Sequence, residues 1–171
     1  MPNEPEKSLK INRPGKSGPE PARDTQDGLS ARPLISIRPA GERDYAAISR
    51  IQQRSPETAQ WPLGDYSNYP LLIAFCNGEI AGFCSWRQVA PDEAEILNIA
   101  VDPVFRRRGI GAALLDAVCE QAKGCIFLEV AEHNLPAIAL YRKLGWEDSG
   151  VRPGYYDQGS VNAVVMKKRS W

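Results

Sequence analysis

Cysteine, histidine and net charge are all scarce in this sequence, and each shortage excludes something. The four cysteines, Cys76, Cys84, Cys119 and Cys125, form no CxxC pair, and the single histidine, His133, stands at no metal-ligand spacing from them. A disulfide framework or a zinc site is therefore not expected. The cysteines read as reduced, mostly buried, small apolar residues. Lys+Arg and Asp+Glu are both 21, so the formal net charge is zero. That balance gives no argument for nucleic acid or an anionic membrane as the main partner. No apolar run approaches the ~18 residues that a bilayer crossing needs. The first residues show no secretory-signal pattern. A cytoplasmic protein without a metal is the expectation.

What is present divides into two parts. Residues 1–34 hold six of the 14 prolines, mixed with charges of both signs, Gly and Ser, and only four scattered aliphatic residues. Such a segment buries too little apolar surface to offset its ordering entropy, which predicts a disordered tail. From residue 35 onward the pattern is that of one folded domain. The alternation in LISIRP predicts a short strand. A helix is expected over about residues 42–53, with Tyr45, Ile48 and Ile51 on one face. Pro56 and Pro62 enforce a loop. PLLIAFC and EIAGFCSWRQV read as strands joined by Asn77-Gly78, the strongest short hairpin signal in the chain.

EAEILNIAV reads as a fourth strand with Ile96, Asn98 and Ala100 on one face and Leu97, Ile99 and Val101 on the other. Both faces lean apolar, which suits a central position. A helix follows from the glycines of RRRGIG to about Lys123, burying Ile110, Leu114, Val118 and Ala122. CIFLEVA is an apolar strand interrupted by Glu129. Asn134 caps a second helix, with Pro136 in its first turn and Gly145 just past its end. Short strands around 146–152 and 162–169 complete the chain. Strand, glycine turn, helix and strand in succession make a βαβ unit, and the flanking hairpins make the sheet mixed.

The glycine turn is a natural anion site. The first N–H groups of a helix lack internal partners, and the helix dipole adds roughly half a positive charge there. Gly109 and Gly111 keep side chains out of the way, and Arg106, Arg107 and Arg108 add charge on the approach. A Walker loop, GxxxxGK[ST], is absent. The dinucleotide fingerprint GxGxxG fails because Leu114 holds its last place. An Arg three residues before the first glycine, followed by G-x-G, fits a third class of phosphate loop.

The two blocks NIAVDPVFRRRGIGAALL and LEVAEHNLPAIALYRKLGW resemble the GNAT superfamily of acetyltransferases, and within it the RimI type, the ribosomal-protein alanine N-acetyltransferases. The resemblance covers about residues 35–169. It implies an α/β (α+β) fold: a central mixed sheet with the βαβ core, flanked by helices. It implies acetyl-CoA as co-substrate, with the pantetheine arm paired along Ile99, Ala100 and Val101 in the manner of an added strand. The pyrophosphate would lie on the loop of Arg107, Arg108, Gly109, Ile110, Gly111 and Ala112, with Arg106 as the first motif position of this cofactor site. Asn134 matches the next cofactor contact and is also a helix cap.

The same resemblance maps proton transfer onto two residues. Glu129 stands where the family places its general base, and an ionisable group in a buried strand is costly unless used. The alternative is a Glu that merely points to solvent at a strand end. Tyr141 matches the general acid; otherwise it is a core tyrosine. An amine attacks a thioester only when neutral, so a base is useful, and the departing thiolate needs a proton. For the acceptor, Trp61 matches a tryptophan of the RimI pattern, although its context, Ala59 to Leu63, departs from it. Tyr155 and Tyr156 match a tyrosine pair near the last hairpin. These three either wall a slot for a peptide terminus or pack under two loops. His133 is expected to be an exposed loop residue.

The implied activity is acetyl transfer from acetyl-CoA to an amine, first of all the N-terminal α-amine of a ribosomal protein. Neither nucleic acid nor membrane is an expected partner. A small-molecule amine acetyltransferase and a non-catalytic acyl-CoA-binding module are the rival readings. The pairing of Glu129 with Tyr141 speaks against the last, since a sensor needs neither.

Overall fold

The computed structural model describes residues 33–170. The expectation of a disordered tail over residues 1–34 lies outside them, apart from Pro33 and Leu34. Leu34 is already tied down. Its N–H donates to Asn77 Oδ1 at 3.0 Å, and its carbonyl accepts from the Asn77 N–H at 2.9 Å.

Seven strands and three α-helices follow. Strand β1 is Ile35–Pro39, and helix α1 is Tyr45–Arg54, entered through a short 3-10 turn. The loop expected after it contains a second 3-10 turn, Leu63–Asn68. Strands β2 (Leu71–Cys76) and β3 (Glu79–Ala90) form the hairpin. Its turn residues Asn77 and Gly78 take φ of +53° and +88°, as the type I′ geometry requires. Strand β4 is Glu93–Val101, helix α2 Ile110–Gln121, strand β5 Cys125–Ala131 and helix α3 Leu135–Lys143. Strands β6 (Glu147–Tyr156) and β7 (Val161–Arg169) close the chain, β6 extending four residues beyond the expected end near 152.

The sheet order is β1-β2-β3-β4-β5-β7-β6. Only β4 and β5 run parallel; α2 is their crossover. Helices α2 and α3 cover one face, where Ile110, Leu114, Val118 and Ile138 meet Ile96, Ile126, Leu128 and Met166. Helix α1 covers the other face near the hairpin, where Ile48 and Ile51 meet Phe83 and Ala100. Each such fully buried aliphatic side chain stabilises the fold by roughly 1.5–3 kcal/mol relative to exposure.

Strand β4 is central, as expected, but its two faces are not those that plain alternation gives. Ser85 pairs with Asn98, while the next β3 residue, Trp86, pairs with Ile96. Leu97 is therefore an extra residue, a β-bulge, and the side chains exchange faces there. Ile96 lies in the α2/α3 cluster, and Ile99 and Val101 pack against that same cluster. Ala100 belongs to the α1 cluster. The expected grouping of Ile96 with Asn98 and Ala100 is thus corrected by one inserted residue.

Candidate active site

The parallel strands part just where the bulge occurs. Their pairing runs from Glu93 with Cys125 to Ile96 with Leu128 and then stops. Beyond it β4 is paired only with β3, and β5 only with β7. The main chain of Leu97 to Val101 therefore presents an edge with no strand beside it, a surface that an extended amide-bearing chain can join. A cleft fills the gap, lined by Leu97, Asn98 and Ile99 on one side and Glu129, Val130 and Ala131 on the other. Asn134 at the cap of α3, Tyr141 of α3 and Tyr156 of β6 line it as well.

At one end of β4 sits the glycine turn. Gly109 has φ of +88°, a left-handed conformation that L side chains resist. The first bond within the α2 turn runs from the Ala113 N–H to the Gly109 carbonyl at 3.0 Å. The N–H groups of Ile110, Gly111 and Ala112 thus precede the helical ladder and are available to an anion. Gly111 is small for a packing reason as well. A Cβ there would lie 3.3 Å from Leu140 Cδ2 and 3.8 Å from Val101 Cγ2, so its absence lets α2 start against α3 and the end of β4.

The three arginines differ. Arg107 and Arg108 are exposed, with the Arg108 guanidinium 5.5 Å over the Phe105 ring. Arg106 turns the other way. Its Nε donates to the Val101 carbonyl at 3.1 Å, its Nη2 to Ser55 Oγ at 3.0 Å, and it pairs with Glu57. Read from sequence as the first motif position of the phosphate loop, Arg106 braces the loop after α1 against the end of β4.

That loop is held from below by a buried polar chain that sequence reading missed. Gln52 Oε1 accepts from the Tyr66 hydroxyl at 2.6 Å, and that hydroxyl accepts from Asn98 Nδ2 at 2.7 Å. Asn98 also donates to the Ala59 carbonyl at 2.8 Å, while Gln52 bonds both the N–H and the carbonyl of Trp61. Burial raises the Tyr66 phenol far above its usual range. The chain anchors Ala59, which lines the cleft together with Glu57 and Thr58. Trp61 is not among the lining residues. Its ring packs 5.3 Å from Tyr66 and 6.0 Å from Tyr69. The expected slot wall is here a packing residue beneath the loop.

Glu129 stands on the cleft wall with its side chain 18% exposed and paired to Arg152 Nη1 at 3.0 Å. The Tyr156 hydroxyl donates to the Glu129 main-chain carbonyl at 3.1 Å, and burial, with Tyr155 and Glu129 nearby, pushes that phenol up to about 12. Tyr155 packs edge-on against Tyr156 with centroids 4.9 Å apart. Partial burial, then the Glu129 carboxylate, raises the Tyr155 phenol. The tyrosine pair is thus brought to Glu129, whereas Trp61 is not. Arg152 is the residue missed here; in RPGYY only its neighbours carried a signal.

Tyr141 is buried against Trp146, with centroids 6.1 Å apart. Burial raises its phenol far above the usual range. Asn134 accepts from the Ala137 N–H at 3.3 Å as the α3 cap and lines the cleft as well. His133 is exposed, as expected. Cys76, Cys84, Cys119 and Cys125 are all free thiols. Among the described residues, no His, Cys, Asp and Glu side chains gather in a set that could hold a metal. No helix among them is long and apolar enough to cross a membrane.

The profile of the acetyltransferase (GNAT) family matches residues 39–146. The chain belongs to this family. It is 40% identical over 136 residues to the [ribosomal protein bS18]-alanine N-acetyltransferase of Escherichia coli, a match covering 72% of this chain and 89% of that protein. The crystal structure of the ribosomal-protein-S18-alanine N-acetyltransferase from Escherichia coli superimposes with a TM-score of 0.68 at 31% identity, covering 80% of this chain and 94% of that one. Ard1 from Thermoplasma volcanium gives a TM-score of 0.72 at 31% identity, over 80% and 98% of the two chains. A further match, 42% over 91 residues, takes in 53% of this chain and only a quarter (25%) of an uncharacterised Mycobacterium leprae protein. This GNAT enzyme transfers acetyl from acetyl-CoA, and the residues present fit that co-substrate: an unpaired β4 edge for an amide-bearing arm, and free helix N–H groups for its phosphates.

Proposed function

We propose that this GNAT enzyme acetylates the N-terminal α-amine of a protein in the cytoplasm, with a ribosomal protein as its acceptor. The observation that carries this reading is the meeting of Glu129, Asn134, Tyr141 and Tyr156 in the one cleft between the parted strands. The similarity to the Escherichia coli enzyme supports the acceptor.

Acetyl-CoA supplies the thioester carbonyl that the amine attacks. The main chain of Ile99, Ala100 and Val101 holds its arm, and the N–H groups of Ile110, Gly111 and Ala112, with Arg107 and Arg108 nearby, hold its phosphates. Arg106 braces this cradle through Val101 rather than reaching into it. Glu129 takes the proton of the attacking amine. An α-amine, with pKa about 8, loses less in deprotonation at neutral pH than a lysine at about 10.4, so one carboxylate suffices as base. Tyr141, a phenol and so protonated at neutral pH, gives its proton to the departing thiolate. Asn134 lines the same cleft and contacts the co-substrate. Tyr155 and Tyr156 form the acceptor-side wall, and Trp61 supports the opposite loop.

Free-thiol release from acetyl-CoA, measured with N-terminal peptides and with small amines, tests the reading. Turnover on peptides beginning with Ala is expected. Turnover confined to small amines would replace the acceptor. Tight coenzyme A binding with no turnover on any acceptor would make the protein a sensor.

A further inference from the structure

Arg152 closes a circuit that begins and ends on Glu129. The Glu129 carbonyl accepts from the Tyr156 hydroxyl at 3.1 Å. The Tyr156 ring meets Tyr155 edge-on, and the Tyr155 ring carries the Arg152 guanidinium 4.2 Å from its centroid. Arg152 Nη1 then donates to Glu129 Oε1 at 3.0 Å. The backbone of β6 makes this possible. Its pairing with β7 is irregular between Arg152 and Tyr156, where Gly154 takes φ of +60° and sits 3.2 Å from the Gly159 carbonyl by its would-be Cβ. Both ends of RPGYY can therefore fold back onto one residue of β5, with β7 between them.

A glutamate has three rotatable side-chain bonds, and a carboxylate at a cleft wall samples several rotamers unless something holds it. An exposed ion pair adds little to folding. Arg152, whose side chain is 58% exposed, is thus poorly explained as a stabiliser. The neighbouring carboxylate does not need it either, because Glu95 is held by Arg87 Nη2 at 2.7 Å. What Arg152 does have is a fixed stacking surface and one carboxylate oxygen to aim.

We propose that Arg152 is a positioning residue for Glu129: stacked on Tyr155, it fixes the carboxylate in the orientation that receives the acceptor's proton. The proposal rests on Glu129 being the acceptor base. Misplacing a reacting group by about 1 Å can cost up to 10²-fold, so partial release should cost about tenfold.

The test is a double-mutant cycle read as kcat and KM on a peptide beginning with Ala, using the full-length enzyme. Arg152→Met should lower kcat about tenfold, with the acetyl-CoA KM and the Tm unchanged. Arg152→Lys, which keeps the charge, should recover part of the loss. In the Glu129→Gln background, Arg152→Met should have no further effect on kcat. An equal loss in both backgrounds, or no loss in the wild-type background, would overturn the positioning role and leave Glu129 as base. Full activity of Glu129→Gln would instead remove the base itself. Should Arg152→Met fail to fold, the comparison of Arg152→Lys in the two backgrounds decides the same question.

Discussion

The Tyr156 hydroxyl reaches from β6 across β7 to the main-chain carbonyl of Glu129 on β5, at 3.1 Å. A cleft-lining residue of β6 is thereby tied to the strand that carries Glu129. Tyr156→Phe keeps the ring and deletes this bond. The expected cost in stability is about 0.5–1.5 kcal/mol, the net worth of one such bond, measured by urea unfolding. The kcat/KM for the acceptor should fall several-fold while the acetyl-CoA KM holds.

Glu129→Gln preserves shape and removes the carboxylate proposed as the base. Its kcat should fall by ~10²-fold or more, the usual scale for losing general-base help. Calorimetric titration should find coenzyme A affinity unaltered, because the proposed phosphate and arm contacts are made by the main chain of β4 and the start of α2. A variant with full kcat would take Glu129 out of proton transfer.

Gly109→Val addresses the cradle. A Cβ at Gly109 would meet only Ile35 Cδ1, at 3.8 Å, so crowding is not the issue. The cost comes from φ of +88°, roughly 1–2 kcal/mol for an L residue. The domain should stay folded, and the backbone relaxes away from the conformation that aims the helix N–H groups. Coenzyme A should bind at least tenfold more weakly, read by titration beside a thermal melt.

Acid stability has one clear source. Arg38 makes two bonds to Asp44, both at 2.8 Å, and the Gly41 N–H adds a third at 3.0 Å. The Arg38 guanidinium holds this carboxyl at about 2, below its ordinary 3.8. The folded state therefore binds its proton less readily than the unfolded chain. Its stabilisation is complete above pH 3.8 and is lost as pH falls through about 2. Asp44→Asn should destabilise the protein at pH 7 by about 1–3 kcal/mol and flatten the decline between neutral pH and about pH 2. Urea unfolding at both pH values measures this; an unchanged decline would assign it to other carboxylates.

Local chemistry made much of the fold legible. Asn77-Gly78 can form only a few turns, Asn134 before Pro136 marks a helix start, and RRRGIG after an apolar strand marks an anion site. Glu129 was visible because it interrupts an apolar strand. The bulge at Leu97 was not, because nearly every residue of β4 is apolar and either face assignment satisfies the pattern. That single residue sets which side chains face α2 and where the strands part. Arg106 and Trp61 carried the right residue types, yet their partners, Glu57 and Tyr66, are chosen by tertiary packing. Arg152 was silent for the same reason: nothing in RPGYY says that a bend at Gly154 returns it to Glu129.

Mass spectrometry of protein N-termini from cells with and without this enzyme tests the proposed acceptor most directly. A ribosomal protein beginning with Ala is expected to lose its N-terminal acetyl group when the enzyme is absent. Unchanged acetylation at every protein N-terminus would overturn that acceptor.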